Sequence, residues 1–367
     1  MAEVNLDGPA MTPPAGKMPN YTNPPTLMPA VIATAVVVLT LMTVCVAARA
    51  FVKIVILRKH YVEDWLCYWA WAGVVTYTGI FIYIADYGFA RHQYDVSVAM
   101  FRHIMYYCNI LYCVYSPTTL PAKLSVLFQI KRIFTTREKN IVYWVVWLSI
   151  IANIIVYTGL FFSYVFSCWP REAIWNSSVQ GECISSVSSN FAAGILNFIS
   201  DLEALLLPAW GIWHLNMPVQ RKLAVFAVFG VGSIACAIGM IGIYFRVILL
   251  KTPDFTWLCT KAAILVISEM STVVIVGCFP SLPRFYHYVR GSERTKQQSY
   301  DTPNSDERDH QKPGTFAKYI GPGVISSISN EHLELHSYTS EEPAHSMGED
   351  GIRKTTHVEQ SVLKGSA

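Results

Sequence analysis

Apolar residues fall in seven long runs, at 28–51, 65–85, 106–130, 141–166, 191–215, 223–244 and 257–279, separated by polar connections. A helix needs roughly 20 apolar residues to cross a bilayer, and every run is long enough. The pattern predicts an all-α integral membrane bundle of seven helices over residues 28–283, preceded by a polar, Pro-rich tail at 1–27. Beyond residue 284 no sustained apolar period remains and Ser, Thr, His, Glu and Lys dominate, which predicts a disordered tail at 284–367.

Composition agrees with a lipid solvent. With 53% hydrophobic and 14% charged residues in 367, and a mean hydropathy of +0.34, the chain is too apolar to coat a soluble protein of this size. A net charge of +3 with scattered bases excludes a nucleic-acid surface and leaves membrane lipid as the expected surroundings. The bases instead report topology. Fourteen Lys and Arg sit in or beside the first, third and fifth connections and at the start of the tail, against six on the opposite side. Positive charge stays inside, so the N-terminus is expected outside and the C-terminus in the cytoplasm. Both Asn-X-Ser/Thr sequons, at Asn20 and Asn176, fall on the outer side and are candidate glycosylation sites. The run starting at Met28 is too long for a signal-peptide core, so the first helix is expected to act as its own insertion signal in a multi-pass protein of the plasma membrane or an endomembrane.

Of nine cysteines, Cys45, Cys67, Cys113, Cys236, Cys259 and Cys278 lie in or near the runs and read as small buried apolar side chains. Cys168 and Cys183 bracket the fourth connection on the oxidising side. They are the favoured disulfide pair, with Cys108 a competing partner for either one.

Ionisable side chains inside a bilayer are costly and usually mark function. Here they are Lys123 in the third run, Asp201 and Glu203 in the fifth, and Lys261 and Glu269 in the seventh. Asn197, Asp201 and Pro208 are spaced i, i+4 and i+11, so they share one helical face. An interior polar cluster of Lys123, Asn197, Asp201 and Glu269 is the predicted site, with Glu203 turned toward a neighbouring helix or a cavity. Such a cluster serves either as an interhelical bridge or as a handler of ligand or protons.

A seventh-helix lysine is the attachment point of retinal pigments, but Lys261 lies about one turn from the outer end, and the third run offers Lys123 where a counter-ion carboxylate would be needed. No chromophore, cofactor or metal is expected. Gly230, Gly232, Ala235, Gly239 and Gly242 give the sixth run small faces for close helix contact. Pro121, Pro208 and Pro280 interrupt the third, fifth and seventh.

Several short fragments carry a family likeness. Ala48-Arg49-Ala50-Phe51 closes the first run, Glu63-Asp64-Trp65 opens the second, and Gly88-Phe89-Ala90-Arg91-His92 follows it. Lys123-Leu124-Ser125 and Arg132-Ile133-Phe134 mark the third, and Cys168-Trp169-Pro170, Trp175 and Cys183 mark the fourth connection. Asn197, Asp201, Pro208, Trp213, Lys222, Phe229-Gly230, Arg246, Glu269 and Pro280 complete the series. In this order the fragments resemble the fungal rhodopsin-like seven-transmembrane family, with Ala90 where that family often has a second glycine and Glu63 where it often has an aspartate.

The resemblance implies a non-enzymatic, receptor-like membrane protein. Its partners would be a small-molecule ligand and a cytoplasmic transducer at the third loop and C-terminal tail. It also implies an alternative, an accessory membrane protein of a secondary-metabolite (toxin) gene cluster. A membrane-embedded cyclase using Asp201, Glu203 and Glu269 as general acids is a third, less supported reading, without a metal cluster, nucleophile elbow or phosphate loop behind it.

Overall fold

Lipid offers no partner to a backbone N–H or C=O, so each apolar run satisfies its own backbone as a helix. A computed structural model describes residues 5–134, 141–176, 178–213 and 219–300 of the chain. Its helices are α1 (Met28–Phe51), α2 (Val62–Ile84), α3 (Val98–Phe134), α4 (Ile141–Val165), α5 (Ser186–Trp213), α6 (Val219–Leu249), α7 (Phe255–Cys278) and α8 (Leu282–Tyr300). Helices α1 to α7 pack in chain order as a closed ring, with α1 against α7, while α3 also touches α5 and α7.

The outward faces are apolar. Val36, Val37, Leu41 and Val44 on α1, Trp144, Leu148 and Ile155 on α4, and Ile234 and Met240 on α6 are all exposed, an arrangement that water penalises and a bilayer requires. Among the described residues six helices are apolar enough to cross a membrane on length and composition alone, and α3 is not one of them. Its polar side chains face inward instead: Asn109, Ser116, Thr118, Thr119, Lys123 and Ser125 are buried. The other helices sheathe α3 from lipid, and in α7 residues 269–278 are buried without exception. The protein is a multi-pass membrane bundle.

Two prolines in α3 shape this centre. Pro121 has no N–H to give to the carbonyl of Pro117, and the indole Nε1–H of Trp69 on α2 donates to that oxygen at 3.1 Å. The small face of α6 serves the ring as expected, since a Cβ at Gly232 would come within 2.8 Å of Leu205 on α5.

Both ends of the chain differ from expectation. The helix expected at 106–130 begins eight residues earlier, at Val98: Arg102 and His103 interrupt the apolar run there, while Met100, Phe101 and Ile104 of the same turns pack on the core. The tail expected from residue 284 is helical through Tyr300 as α8. Its few apolar residues fall at helical spacing among many charges, too sparse to register as a run, yet the rings of Phe285 and Tyr288 pack on Phe51 at 5.7 and 5.5 Å. Residues 301–367, for which disorder is expected, and Arg137 and Lys139 of the basic third connection lie outside the described residues.

Residues 5–27 are not a loose tail but a strap across the α2–α3 connection. The backbone pairs Ala10 with Val96 (2.8 Å), Leu27 with Ala90 (2.9 Å) and Val98 with Gly8 (3.0 Å), and Asp95 accepts from the Asn20 N–H at 2.8 Å. The connection itself turns at Gly88, whose φ of 132° is closed to residues with a side chain. Ala90 has φ −76° and needs no glycine. At the same end of the bundle a two-stranded hairpin, β1 (Cys168–Trp169) and β2 (Glu182–Cys183), sets Cys168 opposite Cys183, and the two form a disulfide. Cys108 is a free, buried thiol.

Candidate functional site

All four residues of the expected interior cluster meet at the centre of the ring. Lys123 on α3 places Nζ 2.9 Å from Asp201 Oδ1 on α5 and donates to the carbonyl of Asn197 at 3.0 Å. The Asn197 amide donates to Asp201 Oδ2 at 3.4 Å and also to Glu269 Oε1 on α7. Tyr157 on α4 closes the group by donating its hydroxyl to Asn197 Oδ1 at 2.6 Å, with its ring 5.6 Å from the Lys123 ammonium. Each of the four predicted residues is at most 7% exposed.

The helices dictate this meeting. Asn197 and Asp201 stand one turn apart on the buried face of α5. A Cβ at Gly239 would lie 3.2 Å from Glu269 Oε1, so the small face of α6 is what lets that carboxylate sit there. The side chain of Pro208 lies outside the described residues. One cation faces two carboxylates, so the cluster balances electrically only when it holds one proton or another cation. A cavity of about 40 Å³, lined by Lys123, Asp201, Gly232, Ala235 and Val273, borders the ion pair. That is room for a water or two, at roughly 10–15 Å³ each.

Glu203 stays outside the cluster. It accepts a hydrogen bond from Ser149 of α4 and borders an apolar groove with Ile199, Leu202 and Leu206. Lys261 has no carboxylate partner among the described residues; its ammonium lies over the rings of Trp257 and Phe245, at 5.4 and 5.8 Å. Asn20 is exposed, whereas the Asn176 amide is half-buried and donates to Glu172 Oε1 at 3.1 Å. Among the described residues no three His, Cys, Asp or Glu side chains are grouped to hold a metal ion.

Sequence reasoning missed a second charged network, at the opposite end of the bundle from the hairpin. Arg49 and Lys53, counted above as topology markers, are buried. Asp64 takes Arg49 Nη2 at 2.6 Å and Nε at 2.9 Å on one oxygen. Lys53 Nζ and the Tyr61 N–H reach its other oxygen at 2.9 and 3.0 Å. Arg49 also donates to the carbonyl of Gly277 on α7. Next to Asp64, Glu63 pairs with Arg132 of α3 at 2.8 Å, while Ser125 of α3 donates to the Glu63 carbonyl at 2.7 Å. Four helices, α1, α2, α3 and α7, are thereby tied together. The signal was present: Arg49, Asp64 and Arg132 all sit in the fragments that carry the family likeness.

A seven-helix membrane protein with a buried polar centre under α3, α5 and α7 is what the fold and site define. The family description for the fungal rhodopsin domain matches residues 48–288, and the chain belongs to that family. Among its relatives, the SAT4 family membrane protein of Emericella nidulans is 28% identical over 65% of this chain, which spans 60% of that relative's length. Fugralins biosynthesis cluster protein 2 of Gibberella zeae is 24% identical over 98% of this chain and 93% of its own. Polyenoic acids biosynthesis gene cluster protein Ba17b of Metarhizium anisopliae is 25% identical over 88% of this chain and 92% of its own.

Proposed function

We propose that this chain is a non-enzymatic, receptor-like sensor of a small molecule, with the Lys123–Asn197–Asp201–Glu269 cluster as the element that a ligand rearranges. The observation behind the reading is the shared Asn197 amide, which donates to carboxylates on two helices at once. A small shift of α7 against α5 breaks one bond and leaves the other, which makes the cluster a two-state element of the kind that converts binding into repacking. The network around Asp64 then carries the repacking to the α1–α2 and α3–α4 connections, where a transducer would dock.

The names of two relatives favour a second reading, an accessory membrane protein of a biosynthetic gene cluster. Deleting the gene separates the two. A sensor is expected to leave the biosynthetic enzymes intact but uncouple their transcription from the stimulus, whereas a pathway component removes a metabolite with transcription unchanged. Loss of metabolite alone would contradict the sensor.

The orientation we propose, with the hairpin outside, follows from loop charge. Asn20→Gln is expected to remove an endoglycosidase-sensitive mobility shift. Digestion of a tag fused ahead of the strap, by protease added to the cytoplasmic side of sealed microsomes, would contradict it.

A further inference from the structure

Among the described residues Arg246 makes no hydrogen bond to either charged network. It lies in the last turn of α6, is 5% exposed, and turns into the ring. Its Nε–H donates to Asn190 Oδ1 on α5 at 3.3 Å. Among the described residues that is its only hydrogen bond: neither Nη group meets a carboxylate, a hydroxyl or a backbone carbonyl, and no ion pair forms.

A guanidinium never sheds its charge in a protein, and a buried one that no carboxylate hydrogen-bonds is costly. Position at the C-terminal end of α6 offsets a small part of that cost through the helix dipole. Snorkelling to the interface would offset more, yet the side chain points inward.

Space has been cleared for it there. A Cβ at Gly194 of α5 would lie 2.8 Å from Arg246 Cδ and 3.0 Å from Nε and Nη1, and one at Gly242 would lie 3.0 Å from Nη1. Two glycines on facing helices thus flank the guanidinium. Tyr77 of α2, Tyr115 of α3 and Tyr164 of α4 are buried inside the same ring. Glu269 is a carboxylate within the electrostatic reach of Arg246, but it makes its own contact with Asn197 instead. Near the same end of the bundle, Lys261 is a second cation without a carboxylate partner among the described residues.

We propose that Arg246 anchors the carboxylate of an amphipathic monocarboxylic acid, whose apolar body lies among the tyrosines inside the ring. The fork of two free Nη groups matches a planar pair of acceptor oxygens. A single guanidinium, in a site that already feels Glu269, neutralises a monoanion and not a phosphate dianion. The surroundings are otherwise aromatic and aliphatic, which selects a body of the same kind. The inference rests on reading the interior as a ligand site and names the class of ligand. Its test reads binding and not cellular output, so it fails or stands separately from that reading.

Purified full-length protein in detergent is titrated with a panel of unbranched monocarboxylates from short to long chain, each beside the alcohol of the same chain, and thermal unfolding is followed. At least one acid is expected to raise the midpoint saturably while its alcohol does not. Arg246→Gln is expected to weaken that acid about tenfold or more, and Arg246→Lys, which keeps charge but loses the fork, by less. Acids and alcohols acting alike on the wild-type protein would overturn the proposal, and this comparison needs no variant to fold. So would equal affinity in wild type and Arg246→Gln. Stabilisation by phosphatidic acid micelles alone would assign the anchor to a lipid phosphate and overturn the carboxylate.

Discussion

Asp64→Ala is expected to cost the bundle about 3–5 kcal/mol, because it strands two buried cations at once. Arg49 and Lys53 both end on Asp64, and neither side chain is more than 7% exposed. Net stabilities of folded domains are of order 5–15 kcal/mol, so the loss should show as low membrane levels and early unfolding in detergent. Asp64→Asn keeps the shape and one acceptor oxygen for the Tyr61 N–H, so it should fall between wild type and alanine. An unchanged unfolding midpoint for Asp64→Ala would mean that the two cations find water or lipid phosphate, and that the network does not hold α1, α2 and α7 together.

Lys123→Met is the second large effect, with a loss of similar size, about 3–5 kcal/mol. It leaves Asp201 and Glu269 buried with no cation between them. Removing Asp201 as well reverses the argument. Replacing both partners of a buried pair by apolar residues is often neutral or stabilising, so Lys123→Met/Asp201→Leu should recover most of the lost stability. The two single changes and the double form a cycle whose coupling should be strongly non-additive, since the side chains are in contact. Additive losses would show that the pair is not coupled in the folded protein.

Seven apolar runs were enough to read the fold, because lipid imposes one rule on every spanning segment: bury the backbone in a helix and face lipid with apolar side chains. The same simplicity hid α3's true length. Its first turns carry Arg102 and His103, which break the apolar run, while Met100, Phe101 and Ile104 beside them pack on the core. Asn197 and Asp201 were legible because helical phase places them together, and Lys123 and Glu269 because a charge deep in a run has few alternatives.

That Arg49, Lys53 and Arg246 turn into the bundle was not legible. They lie at helix ends, where a cation can point to water or into the bundle, and the choice rests on partners far away in sequence, such as Gly277 for Arg49 and Asn190 for Arg246. The strap at 5–27 is held by backbone hydrogen bonds of irregular chain, which leave no pattern in side chains. Composition also concealed α8, where charge outnumbers the few rings that dock on Phe51.

On the sensor reading proposed above, the Lys123–Asp201 pair is kept for signalling between helices and not for stability. The direct measurement is complementation of a deletion strain with Lys123→Met/Asp201→Leu, scored by the stimulus-dependent transcription that the deletion abolishes, with membrane levels matched to wild type. The expected result is a protein present at normal levels that leaves the deletion phenotype in place. Full restoration of the wild-type response by that variant would contradict it.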